Sequence, residues 1–392
     1  MCAQICTIDT SIFSNLQHLN YSESSKEAVL LEIVLPFFTA FLLVLVATPA
    51  LIKVAKLKHL VDEPGEARKL HRRSVPTLGG IMIFAGTIIS YCLWFPSQSS
   101  WKLGNNYDPL TALSEFKYVL ASMFILFFLG LKDDIIGVSP SKKLLIHVIV
   151  GFVLVYMADI RLTQFWGLFT VDVLPYSVSL GLSLFIYIVI VNAINLIDGV
   201  DGLAAGTGLI ASAAFCYWFY RTGDTPLALL AAGLGGSLFG FLFFNWQPAK
   251  LFMGDSGSLI IGVVVYVLVM KMIEFPPYRL SAAMSDVSKP VLAMSILSYP
   301  LIDTLRVFII RMRQGRSPFS ADKNHIHHRL LAIGLTHRQV CYVLYAYTLF
   351  IITLTFITPA RTPNMSFMIV GGIAVLLANA IFLIPIKEKK AS

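Results

Sequence analysis

The sequence predicts an all-α, polytopic integral membrane protein with about eleven transmembrane helices, and three observations predict it. Of 392 residues, 57% are hydrophobic and 13% charged, and the mean hydropathy is +0.76; soluble domains carry about 25% charged residues. Apolar runs long enough to cross a bilayer recur from end to end. Lysine and arginine gather in alternate gaps between those runs, as the positive-inside rule requires.

The runs fall near 29–52, 77–96, 116–131, 144–160, 178–194, 203–220, 226–244, 257–273, 290–310, 340–358 and 366–386. Residues 1–28 are polar and mixed. They lack the basic start and small-residue cleavage site of a signal peptide, so the first run reads as a retained span behind an extracytoplasmic segment. No gap holds a soluble domain, the longest lying between 311 and 339. Residues 29–386 thus form one transmembrane domain, and 387–392 a short tail. The five cysteines, Cys2, Cys6, Cys92, Cys216 and Cys341, have no metal-binding spacing. Cys2 and Cys6 read as flexible terminal residues rather than as a pair.

The formal charge of +8 would suggest nucleic acid for a soluble protein. In a membrane chain, orientation accounts for it. The odd-numbered gaps and the tail hold 21 of the 30 Lys and Arg, counting Arg306 at the end of run nine. The odd gaps and the C-terminus are therefore expected in the cytoplasm and the N-terminus outside. Four polar islands then fall on the cytoplasmic side, and acidic residues beside a bilayer call for a partner or a task.

The first island is Lys132-Asp133-Asp134, at the end of run three. Adjacent carboxylates repel unless a cation or a shared proton relieves them; a solvated helix end beside Lys132 is the simpler account of this island taken alone. Lys142 and Lys143 open run four within reach of a phosphate at the membrane surface. In the second island Asn192, Asn195, Asp198 and Asp201 recur every third residue, which is more than a helix cap needs. Gly199 and Gly202 break the helix there and would turn the carboxylates inward. Amide and carboxylate oxygens suit Mg²⁺ or Mn²⁺.

Phe252-Met253-Gly254-Asp255-Ser256-Gly257-Ser258 leads into run eight. An N-cap at Asp255 or Ser256 is the plain reading; a phosphate approached by backbone N–H groups, with a metal between it and Asp255, is the sharper one. Phe252 would stack on a base or anchor at the interface. His325, His327, His328 and Arg329 form the last island. With no cysteine near, they read as a phosphate clamp rather than a zinc site, against the alternative of a solvated amphipathic segment. In gap one, the basic stretch Lys69–Ser74 before Pro76-Thr77-Leu78-Gly79-Gly80 suits anionic lipid or a nucleotide phosphate.

Together the islands suit phosphoryl transfer between a water-soluble donor and a lipid acceptor. At this point the chain resembles the polyprenyl-phosphate N-acetylhexosamine-1-phosphate transferases, glycosyltransferase family 4. Five motifs match in order: Pro76–Gly80, Asp133-Asp134, Asn192 to Leu203, Phe252 to Ser258 and His325 to Leu330. The resemblance implies that undecaprenyl phosphate attacks the β-phosphorus of a UDP-amino sugar and that UMP leaves, with Mg²⁺ as cofactor and Mn²⁺ as an alternative; between direct displacement and a covalent aspartyl intermediate, direct displacement is favoured. It implies Asp255 and Asn195 as metal ligands, and Asp133 or Asp134 as the residue that deprotonates or orients the lipid phosphate. Asp198 and Asp201 would meet the uridine or pyrophosphate and Phe252 the uracil. Lys143 and the segment His325–Arg329 would hold phosphates or the sugar.

Ile326 interrupts the run of three histidines usual in the phospho-MurNAc-pentapeptide branch. With the eleventh run, this points to UDP-GlcNAc as donor and to envelope polysaccharide such as O-antigen, at the bacterial inner membrane. Membrane lipids are partners, nucleic acid is not, and a homodimer is left open. A secondary transporter is the rival of another class, but transporters keep their acids near the midplane. A CDP-alcohol phosphatidyltransferase is discounted, because Ala204-Ala205-Gly206-Thr207 follows where that family has Ala-Arg and later aspartates.

Overall fold

The computed structural model describes residues 6–62, 75–95, 109–171, 173–315, 324–358 and 362–385. Cys2, the basic stretch Lys69–Ser74, Asp322, Lys323 and the tail 387–392 lie outside the described residues.

Helices account for about four-fifths of the described chain. They are α1 Cys6–Leu57, α2 Gly79–Leu93, α3 Pro109–Ile136, α4 Pro140–Phe152, α5 Tyr176–Leu196, α6 Leu203–Thr222 and α7 Thr225–Asn245. Then come α8 Gly254–Ile273, α9 Lys289–Ile296, α10 Ser298–Arg313, α11 Ile326–Ile333, α12 His337–Ile357 and α13 Pro363–Ala380. The one sheet among the described residues is a two-residue ribbon, Val61–Asp62 against Val75–Pro76, antiparallel. Local chemistry sets several boundaries. Pro140 pre-sets the first turn of α4. Asp224 caps α7 through Leu227 N. Thr336 and Gln339 form a capping box on α12.

The structure adds to the sequence reading in two places. The N-terminal segment is helical from Cys6 onward and runs into the first span without a break. Each of the eleven expected runs lies on a helix, and among the described residues eight helices are long and apolar enough to cross a membrane, or nine if one bent pair counts as a single span. Helix α2 has 15 residues, which is about 22 Å against a hydrocarbon core of about 30 Å. Run nine is the bent pair: α9 and α10 meet at Leu297 with a turn of 76°.

Burial grades the helices. The apolar window of α8 is 94% buried inside the protein, against 22% for α1 and for α13. An apolar sequence around the whole helix circumference explains this. Its first-turn carboxylate, Asp255, is thus held by the most enclosed helix of the bundle. At the opposite end Lys271 Nζ meets Glu115 Oε1 at 2.6 Å.

Candidate active site

The N-terminus of α8 sits in a collar of three segments that are distant in sequence. A Cβ on Gly80 would lie 2.2 Å from Gly257 N, and one on Gly130 would lie 2.4 Å from Ser256 Cα. These glycines let α2 and α3 touch the backbone of α8 directly. The strand-like pairing of Phe252 N with Pro76 O (2.8 Å), Gly79 N with Phe252 O (3.0 Å) and Gly80 N with Met253 O (2.9 Å) completes the collar. Pro76–Gly80 therefore packs the site. Its backbone donors at Gly79 and Gly80 are already bonded to the 252–253 segment. Phe252 is half-buried. Gly254, at φ +71°, leaves no room for a side chain, since a Cβ would meet Asp134 Oδ2 and Thr77 O at 2.5 Å each.

Asp134 caps this helix. Its Oδ1 accepts from Asp255 N (2.7 Å), and Oδ2 accepts from Ser256 N (3.1 Å) and Ser256 Oγ (2.6 Å). Burial, opposed by these bonds, pushes its carboxyl up to about 6. Asp133 faces the other way. It accepts from Val138 N at 2.7 Å and from Lys143 Nζ at 2.7 Å. Lys143 also donates to Asp255 Oδ2 at 2.8 Å, so one ammonium bridges the carboxylates of α3 and α8. On the far side, Asn195 Nδ2 donates to Asp255 Oδ1 and to Ser258 Oγ, each at 2.9 Å. The amide oxygen of Asn195 has no hydrogen-bond partner among the described residues.

The loop after α5 divides its two aspartates. Asp198 is half-buried, with no hydrogen bond to its carboxylate among the described residues. Desolvation, then the facing charges of Asp255, Asp134 and Asp201, hold its carboxyl well above the usual range. Asp201 is tied elsewhere, accepting from Ala249 N (3.2 Å) with His337 Nδ1 at 3.6 Å. Asn192 bonds back to Ile188 O within its own helix (2.7 Å).

The histidine loop touches this same loop, since a Cβ on Gly199 would lie 3.0 Å from His327 Nε2. All four polar islands therefore meet in one place. His325 and His327 are buried, and their rings stack 5.4 Å apart. His328 is half-buried, 4.4 Å from His327 between ring centres. Burial, with His328, His325 and His337 nearby, keeps His327 well below its usual pKa and so neutral. Arg329 turns away from the cluster. It donates to Ile384 O (2.6 Å) and Phe382 O (3.3 Å) beyond the end of α13. Ile326 is buried in the core, its N–H bonded to Asp303 Oδ1 at 2.8 Å.

Sequence reading missed Asp303. It is fully buried on α10 and accepts from His325 Nδ1 at 2.9 Å. Its place inside run nine hid it. The available signal was Tyr299, Asp303 and Arg306, which share one helix face at spacings of four and three.

Comparison with known proteins points one way. A family model described as glycosyl transferase family 4 matches residues 116–273, a segment that holds the whole carboxylate cluster and ends before the histidines. The chain is 33% identical over 322 residues to a probable undecaprenyl-phosphate N-acetylglucosaminyl 1-phosphate transferase of Bacillus subtilis, covering 81% of this chain and 82% of that one. It is 33% identical to the decaprenyl-phosphate N-acetylglucosaminephosphotransferase of Mycobacterium leprae, covering 82% and 83%. The undecaprenyl-phosphate alpha-N-acetylglucosaminyl 1-phosphate transferase of Escherichia coli K12 is 30% identical, with 73% of each chain covered.

Proposed function

The chain belongs to glycosyl transferase family 4, and on that footing we propose that it transfers N-acetylglucosamine-1-phosphate from UDP-GlcNAc to undecaprenyl phosphate. UMP is released, and undecaprenyl-diphospho-GlcNAc forms. The observation that carries the reading is Lys143 bridging Asp133 and Asp255 at the head of the most buried helix.

The donor set fits Mg²⁺. Lys143 bridges Asp133 and Asp255, while among the described residues the carboxylate of Asp198 and the amide oxygen of Asn195 accept no hydrogen bond. Hard oxygens of this kind suit a small divalent ion. Asp255 and Asn195 would hold it, with Asp198 alongside. When bound, it neutralises charge on the donor diphosphate and on departing UMP.

The remaining chemistry falls to the chain's own groups. An oxygen of the lipid phosphate forms a bond to the β-phosphorus as the bond to the UMP oxygen breaks, and UMP leaves with that electron pair. Lys143 draws the acceptor phosphate toward Asp255 and stabilises negative charge as it shifts. Asp133, held by Lys143 and Val138 N, orients that phosphate or takes a proton from its monoanion. Asp134 acts on α8 instead, fixing the direction in which Asp255 points. Asp198 and the histidine loop face the donor. Asp201 supports the loop from behind, and Phe252 remains the candidate ring for the uracil.

The site is proposed to face the cytoplasm at the bacterial inner membrane, with the N-terminus outside. The lysine and arginine asymmetry supports that orientation. The deciding experiment is UMP release by purified protein with UDP-GlcNAc, UDP-GalNAc and UDP-MurNAc-pentapeptide in turn. Release from UDP-GlcNAc that requires both Mg²⁺ and undecaprenyl phosphate is expected. Solute movement across liposomes without UMP release would overturn the reading.

A further inference from the structure

A fully buried carboxylate needs partners to offset its desolvation. Asp303, on α10, has them on three sides. Oδ1 accepts from Ile326 N at 2.8 Å, Oδ2 accepts from His325 Nδ1 at 2.9 Å, and Arg306 Nη1 lies 4.0 Å away. One turn earlier on the same helix face, the Tyr299 hydroxyl meets His327 Nδ1 at 3.2 Å. Both residues are buried, as are both histidines.

These contacts are selective. Each takes Nδ1 of a ring, and a carboxylate only accepts, so His325 must carry its proton on Nδ1. In both rings Nε2 is then the nitrogen left for a ligand. For His327 that atom lies against Gly199, one residue from Asp198. We propose that Asp303 and Tyr299 are positioning residues that fix the ring orientation of His325 and His327, so that Nε2 of His327 is presented to the nucleotide-sugar donor beside Asp198-Gly199. The inference rests on the transferase reading above and deepens it.

The same side chains invite another account, because ligand atoms of Asp303, His325 and His327 lie within 4.8 Å of one another. A zinc ion would need nitrogens and oxygen about 2.0–2.2 Å from one centre. The Asp303 oxygens and both Nδ1 atoms already have hydrogen-bond partners, and the Arg306 guanidinium stands beside the carboxylate. Hydrogen-bonded positioning keeps these bonds as they lie, whereas metal binding would break several of them.

Asp303→Asn keeps volume and removes charge, and Tyr299→Phe removes one hydroxyl. In full-length protein reconstituted with undecaprenyl phosphate, Asp303→Asn is expected to raise KM for UDP-GlcNAc about tenfold or more, because a small misplacement of a contact costs large factors. Tyr299→Phe is expected to raise it about threefold. KM for undecaprenyl phosphate and the Mg²⁺ dependence should not change. A structural role alone would reduce the active fraction, lowering kcat and leaving both KM values in place; that outcome overturns the proposal. Calorimetric binding of UDP-GlcNAc without acceptor gives a readout free of turnover, and both variants should bind it more weakly. If unsubstituted protein binds the donor but releases no UMP, the transfer reading fails while this comparison still decides. If it does not bind the donor, both fail. Stoichiometric zinc in the purified protein that is lost in Asp303→Asn would also overturn the proposal in favour of a metal site.

Discussion

The carboxylate cluster and the histidine loop meet at Gly199 but are built in different ways. The cluster hangs on helix ends. Asp133 and Asp134 close α3, Lys143 opens α4, Asn195 ends α5 and Asp255 begins α8, whose apolar window is 94% buried. Its glycine collar allows no play. The histidines stand at the start of a short helix, α11, braced by long side chains from elsewhere. Asp303 and Tyr299 hold it from α10, Arg306 donates to Asn324 O, and Arg329 reaches the carbonyls after α13. Groups that stabilise charge must hold their geometry through the reaction, and helix ends around a buried core provide that. A loop on polar braces is open to change in sequence without disturbing that core. The cluster should therefore govern turnover and metal dependence, and the loop donor affinity.

The largest effect tests the cluster. Asp255→Asn keeps the size of the side chain and removes the charge shared by Lys143 and Asn195. Activity should fall on the order of 100-fold or more, and chelation of Mg²⁺ should abolish activity in the unsubstituted protein. UMP release at the unsubstituted rate would remove Asp255 from the site. Lys143→Met comes next. It leaves Asp133 and Asp255 facing each other without their bridge, and kcat should fall ~10–100-fold with KM for UDP-GlcNAc little changed. A rise confined to the donor KM would move Lys143 to the other side of the comparison.

Much of the cluster was legible because carboxylates stand out in a chain that is 13% charged. Asn195 and Asp255 lie sixty residues apart; the family resemblance paired them, and the structure hydrogen-bonds them directly. Three features were not legible, each for a physical reason. Asp133 and Asp134 are neighbours with different partners, Lys143 for one and the N-terminus of α8 for the other, and only the helix direction at Ile136 and the approach of α8 separate them. Arg329 reads as a phosphate ligand from its company, but its side chain is long enough to reach Ile384 O. Asp303 lies in an apolar run whose hydropathy suits one straight span, and the bend at Leu297 that turns it to the histidines leaves no trace in hydropathy.

The outer brace of the loop predicts a smaller effect. Arg306 and Arg329 both lie over the Phe382 ring, at 3.5 Å and 5.8 Å from its centre. This ties the segment after α13 to the histidine helix. Arg329→Ala removes the bonds to Phe382 O and Ile384 O and should raise KM for UDP-GlcNAc about three- to tenfold. The Mg²⁺ requirement and KM for undecaprenyl phosphate should hold. An equal loss at every donor concentration would place Arg329 in folding alone.

The smallest change is also the sharpest, because it falls on the contact between the two regions. Gly199→Ala alters neither a carboxylate nor a histidine. Its methyl would lie 3.0 Å from His327 Nε2, so the ring must yield by a few tenths of an ångström. A shift of that size should cost about two- to fivefold in the donor KM, with kcat nearly unchanged because Asp255 and Lys143 stay where they are. Double substitution separates the regions further. Gly199→Ala and Tyr299→Phe both act through His327, so their combined effect should fall short of the product of the single effects. Gly199→Ala with Lys143→Met should multiply, since those changes act on different groups. Full multiplication in the first pair would mean that His327 does not link Gly199 to α10, and the boundary between the two regions would have to be drawn elsewhere.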